Sequence, residues 1–117
     1  MNHGLSHAAV AAVCGVFARF PSVNKAVLYG SRAKGTFKPG SDIDLTLIGP
    51  HLTSAELGAI AEELDDLLLP YQIDLSIFHK LNHEKLKEHI ERVGRVFYER
   101  EATKIRTSEI EQLVGRC

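Results

Sequence analysis

Apolar and polar residues follow one another along this chain in patterns typical of a small α/β domain. Apolar residues recur at helical spacing over residues 8–18, and Pro21 ends that predicted helix. The β-branched and aromatic run at 25–29 predicts a buried strand. Two later stretches, 42–48 and 71–78, alternate between apolar and polar residues up to their last position. Alternation with period two predicts strands that have one apolar and one polar face.

Further helices are predicted between and after these two alternating strands. Thr53 and Glu56 have the spacing of a capping box, and an apolar stripe then runs to Pro70. A connection of this length permits parallel pairing of the strands, although a mixed sheet is equally open. A last helix is predicted from a cap at Asn82 to Gly94, before a short strand at 95–98.

These elements together predict an α/β (α+β) domain with a small mixed sheet and its helices packed on one face. We expect the domain to span residues 1–101, followed by a C-terminal tail at 102–117. The tail carries isolated apolar residues among charges, which fits either a docking helix or a disordered end.

Candidate chemistry begins at Gly30 and Ser31, which we call the glycine-serine turn, directly after the first predicted strand. Exposed backbone N–H groups at such a turn bind anions, and the Ser31 hydroxyl adds a donor. Arg32 follows with a charge suited to a phosphate or partner contact. A P-loop would need Lys and then Ser or Thr after Gly35, where this chain has Thr-Phe, so that motif is excluded.

Three carboxylates form the second half of the candidate site. Asp42 and Asp44 lie on one face of a predicted strand, about 7 Å apart along it. No basic residue lies two positions away on that face, so a divalent cation is the simplest compensation for their charge. Asp74 is the acid on the polar face of the other alternating strand. If the two strands pair, the three aspartates could surround two ions of Mg²⁺, or alternatively Mn²⁺, both of which prefer oxygen ligands.

The spacing of these residues resembles a known signature. Gly30-Ser31, ten residues, Asp42-x-Asp44 and then Asp74 thirty residues later resemble the DNA polymerase β nucleotidyltransferase superfamily. The short chain and the Gly-Ser-Arg-Ala-Lys-Gly sequence resemble its minimal nucleotidyltransferase (MNT) branch, the antitoxin half of HEPN/MNT toxin–antitoxin pairs.

The resemblance, which covers about residues 5 to 100, implies a polymerase-β-like fold and an enzyme that uses ATP. It implies that the glycine-serine turn holds the triphosphate and that Asp42 and Asp44 bind both metal ions. It also implies that Asp74 binds one ion and helps to deprotonate an acceptor hydroxyl. In the family the acceptor is a Tyr of the HEPN toxin, which receives AMP and is silenced, so the expected partners are ATP and such a toxin.

The size and charge of the chain restrict which substrates and partners are expected. The chain has 117 residues, too few for a separate acceptor-recognition lobe, so we expect a partner to present the acceptor. With 14 basic and 15 acidic residues it has no basic field for nucleic acid. Its two cysteines lack metal-binding spacing, which favours a reducing cytoplasm, and no membrane segment is expected. Two alternatives remain: an antitoxin that acts by binding alone, and a nucleotidyltransferase for a small molecule.

Overall fold

The computed structural model describes residues 3–100. The predicted tail at 102–117 and its boundary at residue 101 lie outside the described residues. The elements follow in the order α1 (His7–Ala18), β1 (Lys25–Tyr29), α2 (Ser31–Lys34), β2 (Ile43–Ile48), α3 (Ser54–Asp65), β3 (Ile73–Ile77), a 3₁₀ turn (Phe78–Lys80), α4 (Glu84–Val93) and β4 (Arg95–Glu99). Within residues 3–100, no helix is both long and apolar enough to span a bilayer.

The strands form one mixed sheet in the order β3-β2-β1-β4. β1 pairs antiparallel with β2 and with β4, whereas β2 and β3 are parallel. The parallel pair is connected through α3, as a parallel pair requires a crossover. The predicted mixed sheet is therefore confirmed, and the two strands that carry aspartates are neighbours.

Helices α1 and α3 cover one face of the sheet, and the main hydrophobic core lies beneath them. Phe17 of α1 and Ile60 of α3 are fully buried against Leu28 and Leu45 of the central strands. The Phe17 ring also packs at 5.7 Å from the ring of Tyr98 in β4. This layer uses the apolar face that the alternating pattern of β2 predicted.

Helix α4 packs on the opposite face. Its Ile90 forms a second cluster with Val27 and Tyr29 of β1. Tyr29 is the register partner of Asp44, so α4 lies on the face that carries the aspartates. The prediction that the helices pack on one face is right for α1 and α3 and wrong for α4. An amphipathic stripe shows that a helix is half buried but not which side of a sheet covers it.

The helix caps follow local chemistry closely. The Thr53 hydroxyl accepts a hydrogen bond from the Glu56 N–H at 3.1 Å, which confirms the predicted start of α3. Helix α4 begins one residue later than predicted, because His83 Nδ1, rather than the Asn82 side chain, accepts from the Leu86 N–H at 3.1 Å.

Candidate active site

The glycine-serine turn lies where β1 meets the short helix α2. Gly30 caps α2 with φ +78°, a conformation that residues with a Cβ rarely adopt. Its carbonyl accepts the Lys34 N–H at 3.1 Å, and the Ser31 carbonyl accepts the Thr36 N–H at 3.0 Å. The turn is thus held by its own backbone, and both of its residues stay partly open to solvent.

Gly30 also lies directly against Asp44. A Cβ built on Gly30 would overlap the Asp44 Oδ2 atom. Glycine is therefore required twice at this position, once for the backbone conformation and once for the approach of the carboxylate. This contact joins the glycine-serine turn and the aspartates into a single site.

The strand register brings the aspartates together. Asp44 of β2 is half-buried and pairs in register with Asp74 of β3, which is exposed. Asp42 precedes β2 by one residue and is also exposed. Neighbouring strands lie about 4.8 Å apart, so Asp44 and Asp74 are adjacent on one face of the sheet.

This arrangement concentrates negative charge. Burial raises the pKa of Asp44, and repulsion from Asp74 and then from Asp42 raises it further, while His89 of α4 acts in the opposite direction. The protein therefore does not fully neutralise the negative charge of ionised Asp44. A divalent cation would supply the missing positive charge.

The donor set fits magnesium or manganese. Asp42, Asp44 and Asp74 offer carboxylate oxygens on an open face, the ligand type that these ions prefer. Among residues 3–100, no group of three acidic, histidine or cysteine side chains converges closely enough to form a complete metal site. Mg²⁺ commonly keeps waters and takes substrate phosphates as ligands, so a site completed by the nucleotide is consistent with this geometry.

Two hydroxyl groups, which we call the hydroxyl floor of the site, lie beside the carboxylates on the same face of the sheet. The Ser76 hydroxyl donates to the Thr46 hydroxyl at 3.0 Å, and Thr46 is fully buried. The pKa of Tyr29 is raised by burial and by the charges of Asp44 and Asp74, an effect that its interaction with Ser76 opposes. These residues position the strands that carry the acids.

Sequence analysis did not single out this floor or His89. Thr46 and Ser76 lie two residues after Asp44 and Asp74, so the alternation itself could have identified them. No comparable signal marks His89, whose ring packs edge-on against Tyr29 at 6.3 Å, because its position depends on where α4 docks.

Arg32 takes a different position from the one expected. Its side chain is only 1% exposed, and its guanidinium donates hydrogen bonds to the His3 and Ser41 carbonyls. This placement does not support the direct phosphate contact suggested by the sequence. The spacing of a motif locates a backbone position, whereas the direction of a long side chain depends on what surrounds it.

A glycine-serine turn in close contact with one of three neighbouring aspartates on a mixed sheet is the arrangement expected of a nucleotidyltransferase site. The family model described as "Polymerase beta, Nucleotidyltransferase" matches residues 13–103. The chain therefore belongs to the polymerase β nucleotidyltransferase family, which confirms the resemblance to that superfamily. No curated protein matched the sequence.

Several solved structures share the fold. A toxin–antitoxin crystallised with AMP-PNP aligns with a TM-score of 0.64 and 19% identity, over 79% of this chain and 74% of that chain. A complex of an MNT antitoxin with a tri-AMPylated HEPN toxin from Shewanella oneidensis aligns with a TM-score of 0.61 and 15% identity, over 93% and 79%. An MntA-HepT toxin–antitoxin aligns with a TM-score of 0.60 and 15% identity, over 92% of this chain and 79% of that chain. At these identities the similarity establishes a common fold.

Proposed function

We propose that this protein is a Mg²⁺-dependent adenylyltransferase that moves AMP from ATP to a hydroxyl, specifically of a Tyr, on a partner HEPN toxin. The protein thereby acts as the antitoxin of a cytoplasmic toxin–antitoxin pair. The observation that carries the proposal is the close approach of Gly30 to Asp44, which supports a phosphate-binding role for the glycine-serine turn beside the acidic residues. The shared fold of MNT antitoxins solved with HEPN toxins supports the choice of partner.

Each part of the site has a separate task in this proposal. The glycine-serine turn binds the phosphates through backbone N–H groups and the Ser31 hydroxyl. Asp42 and Asp44 would bind both divalent ions, and Asp74 would bind one of them from the neighbouring strand. When bound, divalent ions would neutralise phosphate charge and favour ionisation of the acceptor hydroxyl.

In the proposed transfer of AMP, the protein forms no covalent bond with the substrate. The acceptor oxygen forms a bond to the α-phosphorus of ATP, and the bond from that phosphorus to the leaving pyrophosphate breaks. The acceptor proton passes to the Asp74 carboxylate, which is exposed to solvent. Alignment of acceptor and leaving group supplies most of the remaining rate enhancement.

The test uses each α-labelled nucleoside triphosphate with Mg²⁺ and the purified protein encoded beside this one. We expect label to move from ATP to that protein with the wild type, and no transfer with the double variant Asp42→Asn, Asp44→Asn. The control is the double variant Asp65→Asn, Asp66→Asn, which removes two exposed carboxylates at the end of α3. EDTA should abolish transfer, and Mn²⁺ should restore it.

The same experiment separates the alternatives. Stoichiometric inhibition of the partner that survives the double variant at positions 42 and 44, with no labelled product, would replace catalysis by neutralisation through binding. Label recovered only on small-molecule acceptors, such as aminoglycosides, would keep the enzyme and change its substrate. Full activity of that double variant would refute the metal site.

A further inference from the structure

Arg32 is a buried charged residue in a short helix whose Ser31 and Lys34 face solvent at least in part. It lies in α2, one residue after the glycine-serine turn. Among the described residues, the buried polar or charged ones are Arg32 and Thr46. Burial of a guanidinium costs free energy unless its N–H groups are hydrogen-bonded. The acceptors of those hydrogen bonds therefore show which segments of the chain Arg32 holds in place.

Two of its nitrogens grip one backbone carbonyl. Arg32 Nε and Nη2 donate to the Ser41 carbonyl at 3.2 and 2.9 Å. Ser41 immediately precedes Asp42, so this forked contact ties the first aspartate to the helix that follows the glycine-serine turn. The loop between them is exposed at most positions and contains Gly35, Pro39 and Gly40, residues that do not restrain it by packing.

Two aromatic rings enclose the same guanidinium. Its carbon lies 5.1 Å from the ring centre of Phe37 in the loop and 4.9 Å from that of Tyr71. Tyr71 stands three residues before Asp74. The group therefore contacts the chain just before both aspartate-bearing strands, and it gains cation–π attraction from both rings.

The N-terminal segment covers the guanidinium. Arg32 Nη1 donates to the His3 carbonyl at 2.8 Å. A Cβ at Gly4 would overlap the Phe37 ring and lie 2.8 Å from Arg32 Nη1, so the segment is in tight contact with both side chains. This cover excludes water from the interactions of Arg32 and strengthens them.

We propose that Arg32 is a positioning residue: it sets the distance between the glycine-serine turn and the aspartates, without contacting the nucleotide. The kinetic test of this role rests on the proposed function, because it measures AMP transfer. Lysine is a point charge on a flexible stem and cannot reproduce a forked contact together with cation–π contacts to two rings. Arg32→Lys therefore keeps the charge but loses the fixed geometry.

The kinetic test compares Arg32→Lys with wild type in AMP transfer to the partner. We expect kcat to fall by about 10- to 100-fold, because a displacement near 1 Å at the reacting groups has effects of that size. The KM for ATP should stay within about threefold, and the Mg²⁺ concentration for half-maximal activity should rise. The control is Arg19→Lys, the same substitution at an exposed arginine that pairs with Glu63.

Two results would overturn the inference. If Arg32 contacts phosphate directly, Arg32→Lys will instead raise the KM and the dissociation constant for ATP tenfold or more at little cost to kcat. If it has no role in the site, the variant will match Arg19→Lys in every parameter.

A second pair of variants guards against misfolding of Arg32→Lys. Tyr71→Leu removes one enclosing ring, whereas Tyr71→Phe keeps it. We expect a loss of kcat with little change in KM for Tyr71→Leu only, with melting temperatures recorded for both. Equal kcat in the two variants would contradict the role of the enclosure.

Failure of the proposed function can be recognised separately. If wild type transfers no AMP to any partner, the inference is judged by binding of a non-hydrolysable ATP analogue across a Mg²⁺ titration. A requirement for more Mg²⁺ in Arg32→Lys, with unchanged metal-free affinity, would support positioning. Unchanged Mg²⁺ dependence, or a loss of metal-free affinity, would overturn it.

Discussion

Asp44→Asn should make the metal-free protein more stable at neutral pH. Burial and the charges of Asp74 and Asp42 raise the pKa of Asp44, so the folded state binds its proton more tightly than the unfolded chain does. Ionisation of Asp44 therefore lowers the free energy of unfolding. The loss begins as the pH rises through the unfolded value, about 3.9, and is complete above the folded pKa. An amide at this position removes the charge and keeps the shape.

The size of this effect follows from the spacing of the charges. Asp74 is the register partner of Asp44, so their carboxylates are separated by about 6 Å, and Asp42 lies about 7 Å along the strand. For groups open to solvent, with an effective dielectric constant of about 40 to 80, each repulsion amounts to about 0.6 to 1.4 kcal/mol. Burial adds to these repulsions and the attraction of His89 offsets part of the sum, which leaves about 1 kcal/mol. In a domain of this size that corresponds to a melting temperature about 4 °C higher.

Urea and thermal unfolding, followed by circular dichroism in EDTA at pH 7 and pH 3, would measure this difference. The control is Glu62→Gln, which removes an exposed charge in α3 away from the aspartates. At pH 3 the wild type and Asp44→Asn should converge, since the carboxyl is protonated in both states. Mg²⁺ with an ATP analogue should stabilise wild type more than the variant. An Asp44→Asn protein no more stable than wild type in EDTA at pH 7, or an equal gap at pH 3, would refute the electrostatic argument.

Two further predictions concern the surroundings of Asp44. Gly30→Ala should destabilise the fold by more than Gly35→Ala, which carries a strain of about 1 to 3 kcal/mol in its left-handed conformation. The backbone at Gly30 (φ +78°, ψ −157°) is open almost only to glycine, and only a Cβ at Gly30 meets Asp44. Urea unfolding and Mg²⁺-dependent binding of an ATP analogue would measure the difference, and equal losses would contradict this reasoning. Thr46→Val should lower the free energy of unfolding by about 1 kcal/mol through loss of the hydrogen bond from Ser76, again measured in urea, and an unchanged midpoint would argue against that bond.

Local patterns were enough to predict much of this protein. The alternation at 42–48 and 71–78 predicted both strands and their polar faces, and the cap at Thr53 predicted the helix between them. A strand repeats every two residues and a helix start depends on a few neighbouring groups, so a short window of sequence contains the needed information. The continuous apolar run that ends at Tyr29 likewise predicted a buried strand, and β1 is buried on both faces.

Other features depend on contacts between distant segments, and no local pattern encodes them. The stripe on α4 is equally compatible with either face of the sheet, and packing against Val27 and Tyr29 selects the face of the aspartates. The Arg32 side chain points inward because it contacts the Ser41 carbonyl and the Tyr71 ring, which belong to other parts of the chain. The predicted functions of the aspartates await the transfer experiment. Their adjacency follows from the parallel register of β2 and β3, a relation between strands thirty residues apart that only folding establishes.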